Sequence, residues 1–224
     1  MKDYPKPPQI IAQGSSVLST CSLPRLVDVP CEHIGACIVV HGVNDVGNSY
    51  QADPSGERRI AHIVSDAIYA SLAGDKGYFD SQVAFIAESG PKANRKKQLA
   101  IMDQDGENVQ ILSSGNALTL TPRLNANYSG ITFASYEDGN PQVYVGQLGG
   151  GKSRKLINGA PMSFAPRFSP DGATIVFSVS NGGVTNIYAS ATNGGKPVQL
   201  TSGAAIDTSP CYSPDGSRIV FESD

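Results

Sequence analysis

Three prolines, Pro122, Pro166 and Pro210, stand at a constant spacing of 44 residues, and each heads the same phrase. Pro166-Arg167-Phe168 leads through Ser169-Pro170-Asp171-Gly172 to Ala173-Thr174-Ile175-Val176-Phe177. Pro210-Cys211-Tyr212 leads through Ser213-Pro214-Asp215-Gly216 to Ser217-Arg218-Ile219-Val220-Phe221. A degenerate copy runs from Pro122-Arg123-Leu124 to Gly130-Ile131-Thr132-Phe133. In each copy an apolar residue precedes an isoleucine by seven: Leu124/Ile131, Phe168/Ile175, Tyr212/Ile219. A small repeated unit has too little interior to bury its own apolar face, so its copies must pack on one another. A period in the low forties made of short strands is the period of β-propeller blades.

Each copy reads as a blade. Ser-Pro-Asp-Gly is a turn: Pro presets φ, Asp bonds its own backbone, and Gly supplies a positive φ. The strand after it, Thr174–Ser178, is rich in β-formers. A third strand follows at Asn186–Ala189, after Asn181-Gly182-Gly183, and a fourth at Pro197–Leu200, after Asn193-Gly194-Gly195. The earlier copy places strands at Ile131–Phe133 and Gln142–Val145 around the turn Glu137-Asp138-Gly139-Asn140. Upstream, Gln82–Ala87, Gln98–Met102 and Val109–Leu112 predict a partial first blade. The 24 Gly and 15 Pro supply the many turns such a fold needs. The expected fold is mainly β: an incomplete propeller of about three four-stranded, WD40-like blades. Blades are expected near 82–117, 118–161 and 162–205, with an incomplete one at 206–224.

The stretches AIMDQDGENVQIL, APRFSPDGATIVFS and AIDTSPCYSPDGSRIVFESD resemble the TolB family of the Tol–Pal envelope system. So does RRIAHIVSDAIYASLAGDKGYFDSQVAFIAESGPK at residues 58–92, so the resemblance runs from about Gly56 to Asp224. It implies a propeller preceded by a small α/β domain, located in the periplasm, with no catalytic activity and no cofactor. It further implies two partners, the peptidoglycan-associated lipoprotein and the inner-membrane Tol proteins, and a role in envelope integrity and cell division. The family has six blades, so a truncated or chimeric chain is expected, and one alternative is a chain with no independent function. Residues 56–81 would be the α/β remnant. Within it Ile60, Ile63, Val64, Ala67 and Ile68 form one apolar stripe of a helix over Arg58–Leu72, with Gly74 as C-cap. His62 falls on the polar flank of that stripe and is expected to be exposed.

Residues 1–55 read as an irregular leader of a different origin, joined at Ala52–Arg58. Cys37-Ile38-Val39-Val40 is a short apolar strand running into His41-Gly42. Such a strand can shape an oxyanion-hole loop, where backbone N–H groups meet developing charge. The segment VDVPCEHIGACIVVHGVNDVGNSYQAD, residues 27–53, resembles the beginning of type VI secretion phospholipase effectors of the α/β-hydrolase class. This makes a lipase-effector fragment the alternative function. However, the chain has no G-x-S-x-G, and without a nucleophile elbow His41 and Gly42 have no reaction to serve. No secretory signal is visible, and no apolar run is long enough to span a bilayer. Cys21, Cys31, Cys37 and Cys211 show no metal-ligand spacing, and a Cys21–Cys31 disulfide would need an oxidising compartment.

A net charge of −3 gives no global attraction to nucleic acid or acidic membranes. Lys92, Arg95, Lys96 and Lys97 read as a solvated loop, and Asp103, Asp105 and Glu107 as a turn whose acids cap their own backbone. Gly149–Ser153 fails the spacing of a phosphate loop. The candidate site is the set of residues just before each repeated proline: Thr119, Leu120 and Thr121; Met162, Ser163, Phe164 and Ala165; Ile206, Asp207, Thr208 and Ser209. In a propeller the innermost strand of each blade starts there, at the mouth of the central channel, and equivalent positions converge into a ring that can grip a partner. The family resemblance implies that the lipoprotein docks on this face.

Overall fold

The computed structural model describes residues 56–224 and the backbone of segments 11–13, 36–39 and 49–52. The chain divides into two compact units, Met1–Ser81 and Gln82–Asp224. His33, His41, Gly42, Cys21 and Cys31 lie outside the described residues.

In the first unit β1 (Ile11–Gln13), β2 (Ala36–Val39) and β3 (Ser49–Ala52) form an antiparallel sheet with β2 in the middle. The apolar strand of the sequence is therefore β2, and both its neighbours run antiparallel to it. Helix α1 (Glu57–Ala73) buries Ile60 and Val64 from its apolar stripe. It stops where Gly74 turns left-handed, φ 76°, and returns its N–H to Ala70 O at 3.0 Å. The chain then folds back over the helix. Asp66 accepts the N–H groups of Phe79 (2.6 Å) and Asp80 (3.0 Å), and Asp80 pairs with Arg59 at 3.5 Å. Gly77 is needed for this closure, because a Cβ there would stand 2.2 Å from Asp66 Oδ1. His62 is half-buried and has an interaction partner, not exposed as the helix pattern predicts. The stripe ranks residues by face alone, whereas contacts made in the folded chain decide how much of the flank stays wet.

The second unit is built of antiparallel sheets. The first holds β4 (Gln82–Ser89), β5 (Lys96–Asp103) and β6 (Gln110–Ile111). The second holds β7 (Thr119–Leu124), β8 (Gly130–Ser135), β9 (Gln142–Gln147) and β10 (Arg154–Lys155). The third holds β11 (Met162–Phe168), β12 (Thr174–Asn181), β13 (Val184–Ala191) and β14 (Val198–Gln199). Last, β15 (Thr208–Tyr212) pairs with β16 (Ile219–Glu222). This is the mainly-β partial propeller that the repeat predicts.

The 44-residue period recurs in the hydrogen bonds. Leu112, Leu156 and Leu200 donate their N–H groups to Leu99, Val143 and Ile187 O at 2.7, 2.8 and 2.8 Å. The N–H groups of Leu99, Val143 and Ile187 in turn reach a hydroxyl, from Ser113, Ser163 and Thr201. By this alignment β4, β5 and β6 correspond to β8, β9 and β10 and to β12, β13 and β14 of the later sheets. Each first strand packs on the sheet before it: β7 on β4 and β5, β11 on β8 and β9, β15 on β12 and β13. The cores lie in those seams. Leu99, Ile101, Ile131, Phe133 and Tyr144 fill one, and Val143, Val145, Leu156, Ile157, Ile175 and Phe177 the next.

The Ser-Pro-Asp-Gly turns share their backbone bonding, and the second adds a hydrogen bond from Ser217 Oγ to Asp215. Asp171 Oδ1 accepts Ala173 N–H (3.0 Å) as Asp215 Oδ1 accepts Ser217 N–H (3.1 Å), and Gly172 and Gly216 sit at φ 71° and 72°. The degenerate copy keeps the geometry with Tyr128 at φ 55° in the glycine's place.

Candidate partner-binding site

β7, β11 and β15 begin at or next to the residues singled out before the three prolines. The first position of the set is structural. Thr119, Ser163 and Asp207, spaced by 44, are only 3%, 0% and 6% exposed. Ser163 Oγ accepts Val143 N–H at 2.9 Å and lies 3.3 Å from Gln142 Oε1, and Ser163 N–H is donated to Pro141 O at 2.9 Å. Asp207 N–H is donated to Thr185 O at 2.8 Å in the same way. These bonds tie the starts of β11 and β15 to the third strand of the sheet before each.

The next positions face outward to varying degrees. Leu120, Met162, Phe164, Ala165 and Thr208 are half-buried, and Thr121 and Ser209 are exposed. Thr121, Ala165 and Ser209 share a left-handed backbone, φ 50°, 53° and 56°, in three non-glycine residues, each directly before a proline. The strand register shifts at those residues in all three sheets. Each innermost strand therefore carries a bulge held in a strained conformation, and bulges re-aim side chains at sheet edges. The proline, which has no N–H to give to a ladder, suits that edge position.

One equivalent of Met162 and Ile206, Leu118, and one further set escape a reading that stops at the residues just before the proline. Leu118 and Ile206 are exposed, 39% and 46%, and stand 44 residues on either side of Met162. Together they form an apolar row beside the strand starts. On the other side of the prolines lie Arg123, Arg167 and Cys211, again 44 apart. Burial, then the like charge of Arg167, lowers the pKa of Arg123, while Cys211 acts in the opposite sense. The signal for Leu118 and for the second set was the period itself, 44 residues from positions already named.

The remaining clusters are internally satisfied. Glu88 pairs with Lys97 (2.9 Å) and Arg95 (3.1 Å), which hold its carboxyl below the usual range. Asp105 accepts Glu107 N–H at 3.2 Å, and Asp103 accepts the Asn108 side chain. Lys155 pairs with Asp138, which also receives Tyr144 OH. Burial foremost pushes that phenol up to about 12. Gly149–Gly151 run straight into β10.

A family model described as the TolB beta propeller domain matches residues 69–224, more than half of the chain. The chain belongs to the TolB propeller family. Among solved structures it is similar to TolB from Acinetobacter baumannii, with 29% identity and a TM-score of 0.69 over 84% of this chain. The match covers 48% of that protein, so this chain spans about half the length of the TolB it matches. It is also similar to the putative TolB from Agrobacterium tumefaciens, with 18% identity and a TM-score of 0.53, covering 85% of this chain and 66% of the other. The tricorn protease shares the fold alone, at 16% identity and a TM-score of 0.50 over 64% of this chain and 14% of its own. The hydrolase-like segment 27–53 lies outside the residues matched by the TolB family model.

Proposed function

We propose that this chain is a non-catalytic protein-binding module of the Tol–Pal envelope system. It docks the peptidoglycan-associated lipoprotein on the face where β7, β11 and β15 begin, and it works in the periplasm. The inner-membrane Tol proteins are the second set of partners. The observation that carries the reading is the TolB propeller assignment of residues 69–224. The surface supports it: Leu118 and Ile206 expose apolar side chains at equivalent positions, with half-buried Met162 between them in the repeat. Phe164 and Thr208 follow on strands stiffened by buried hydrogen bonds. An apolar row on a rigid backbone suits a protein partner, because little ordering entropy is lost on binding. No helix among the described residues is long and apolar enough to cross a membrane.

The test is a calorimetric titration of the chain with the soluble domain of its cognate lipoprotein. Saturable one-to-one binding, lost when Phe164 and Thr208 are both replaced by Asp, is expected. Normal binding by that variant would refute the site, and no binding by a cooperatively melting wild-type chain would refute the function.

A further inference from the structure

We propose that two copies of this chain pair through the free edge of β16, about a two-fold axis at Val220, so that two half-sheets become one antiparallel sheet. The inference is independent of the lipoprotein reading, because it concerns the edge of the last sheet rather than the strand starts.

Equivalent residues show what β16 lacks. Ile175, Val176 and Phe177 of β12 are each 0% exposed, and Ile131, Thr132 and Phe133 of β8 are 2%, 0% and 6% exposed. Val220 and Phe221, 44 residues beyond Val176 and Phe177, are 69% and 39% exposed. β8 and β12 have a strand on both edges, whereas β16 pairs with β15 alone among the described residues. Ser213 donates its N–H to Arg218 O at 2.9 Å, so the backbone of Arg218 faces β15. Backbone direction alternates along an antiparallel strand. Val220 therefore faces β15 as well, and the N–H and C=O groups of Ile219 and Phe221 point to the open edge. An edge of this kind is a template for a further strand.

The residues of β16 select a second copy as the strand that fits. In a two-fold antiparallel pair the axis stands normal to the sheet, and facing residues share one face. Their numbers therefore sum to an even value, and the centres open to β16 are Ile219, Val220 and Phe221. A centre at Ile219 sets Val220 against Arg218, and one at Phe221 sets Val220 against Glu222. A centre at Val220 sets Arg218 of each copy against Glu222 of the other, Ile219 against Phe221, and Val220 against itself. Opposite charges then meet at both ends of the pair, and apolar side chains fill its middle. In the same register Ile219 and Phe221 exchange N–H···O bonds across the axis, which satisfies the groups left over at the edge. Two like charges at these places would meet their own kind and forbid self-pairing; one of each sign favours it. Arg218 and Glu222 are both exposed, and no ion pair among the described residues engages either. Glu222 is held only by a long hydrogen bond from Thr208, at 3.4 Å.

Sedimentation velocity on the full chain, at low salt and over a wide range of concentration, tests the pairing. A monomer–dimer equilibrium is expected. Arg218→Glu and Glu222→Arg should each weaken the dimer about tenfold, since each sets like charges against one another at both ends of the pair. The double variant, Arg218→Glu with Glu222→Arg, should recover wild-type association, because it rebuilds both pairs with their signs exchanged. A single variant that had merely misfolded would not be rescued in this way. A chain that stays monomeric at every concentration overturns the proposal, as does a double variant that associates as weakly as the singles. Growth past the dimer would mean that β16 meets a different edge, such as that of β4, and would overturn the two-fold register.

Discussion

Ser163 joins two sheets with one atom. Its hydroxyl is fully buried and receives the amide of Val143, which has no other partner at that edge of its strand. Ser163→Ala leaves that N–H buried and unsatisfied, and denaturant unfolding should show a loss of about 1–3 kcal/mol. Asp215 is one residue through which acid acts, beside Glu88, Asp138 and Asp171, whose carboxyls are also held below the usual range. Hydrogen bonds, the largest from Ser213 and then from Ser217, hold the Asp215 carboxyl down at about 2 against an ordinary 3.8. Between those values the unfolded chain binds the proton and the folded chain does not. The contribution is therefore complete above about pH 4 and drains away as pH falls through about 2. Asp215→Asn should flatten the pH dependence of stability in that window, and acid titration followed by circular dichroism would show it. Tyr128 holds a left-handed turn position that glycine fills in the two sister turns. Tyr128→Gly should raise stability by about 1 kcal/mol, read from the denaturation midpoint, since the strain goes and the side chain is already partly exposed.

At the scale of the element, one repeated position has two fates. Leu112, Leu156 and Leu200 make the same backbone bond in their own sheets, yet Leu156 is 4% exposed while Leu112 and Leu200 are 38% and 45%. The difference is the neighbour. Leu156 sits in the seam where Ile175 and Phe177 of β12 arrive from the next sheet. Leu156→Ala should cost about 2–5 kcal/mol, as large-to-small changes in a filled core do. Leu200→Ala should cost well under half of that, and parallel urea titrations of the two variants would measure the contrast. The strand positions, the hairpin turns and the glycine at the end of α1 were legible from local chemistry. Asn181-Gly182-Gly183 marked the tight β12–β13 hairpin, with both glycines at positive φ, because few other residues accept that backbone. The burial of Ser163 and Asp207 was not legible, since their partners belong to the sheet that precedes each of them in the fold.

At the scale of the whole molecule, stability and binding should separate. The residues that tie the strand starts to their neighbours are buried, while Phe164 and Thr208 are only partly so. A Phe164→Asp, Thr208→Asp chain is therefore expected to keep a cooperative melt while losing lipoprotein affinity by at least tenfold, the scale on which central contact residues act. Melting and titration of the same preparation would check both halves. Ser163→Ala should show the converse, reduced stability with binding retained below its melting range.

The sequence by itself determined the period, the turn chemistry and the strand pattern, and these were enough to predict a propeller, while the resemblance of whole stretches pointed to the TolB family. Those properties are local: φ preference, alternation of apolar residues and spacing along the chain. The tertiary structure alone decided which members of each repeated set are buried, which are strained and which meet a neighbour's charge. Identical residues 44 apart have identical local physics, and they differ only through the sheet that packs against them. That is why Leu156 became core and Leu200 did not.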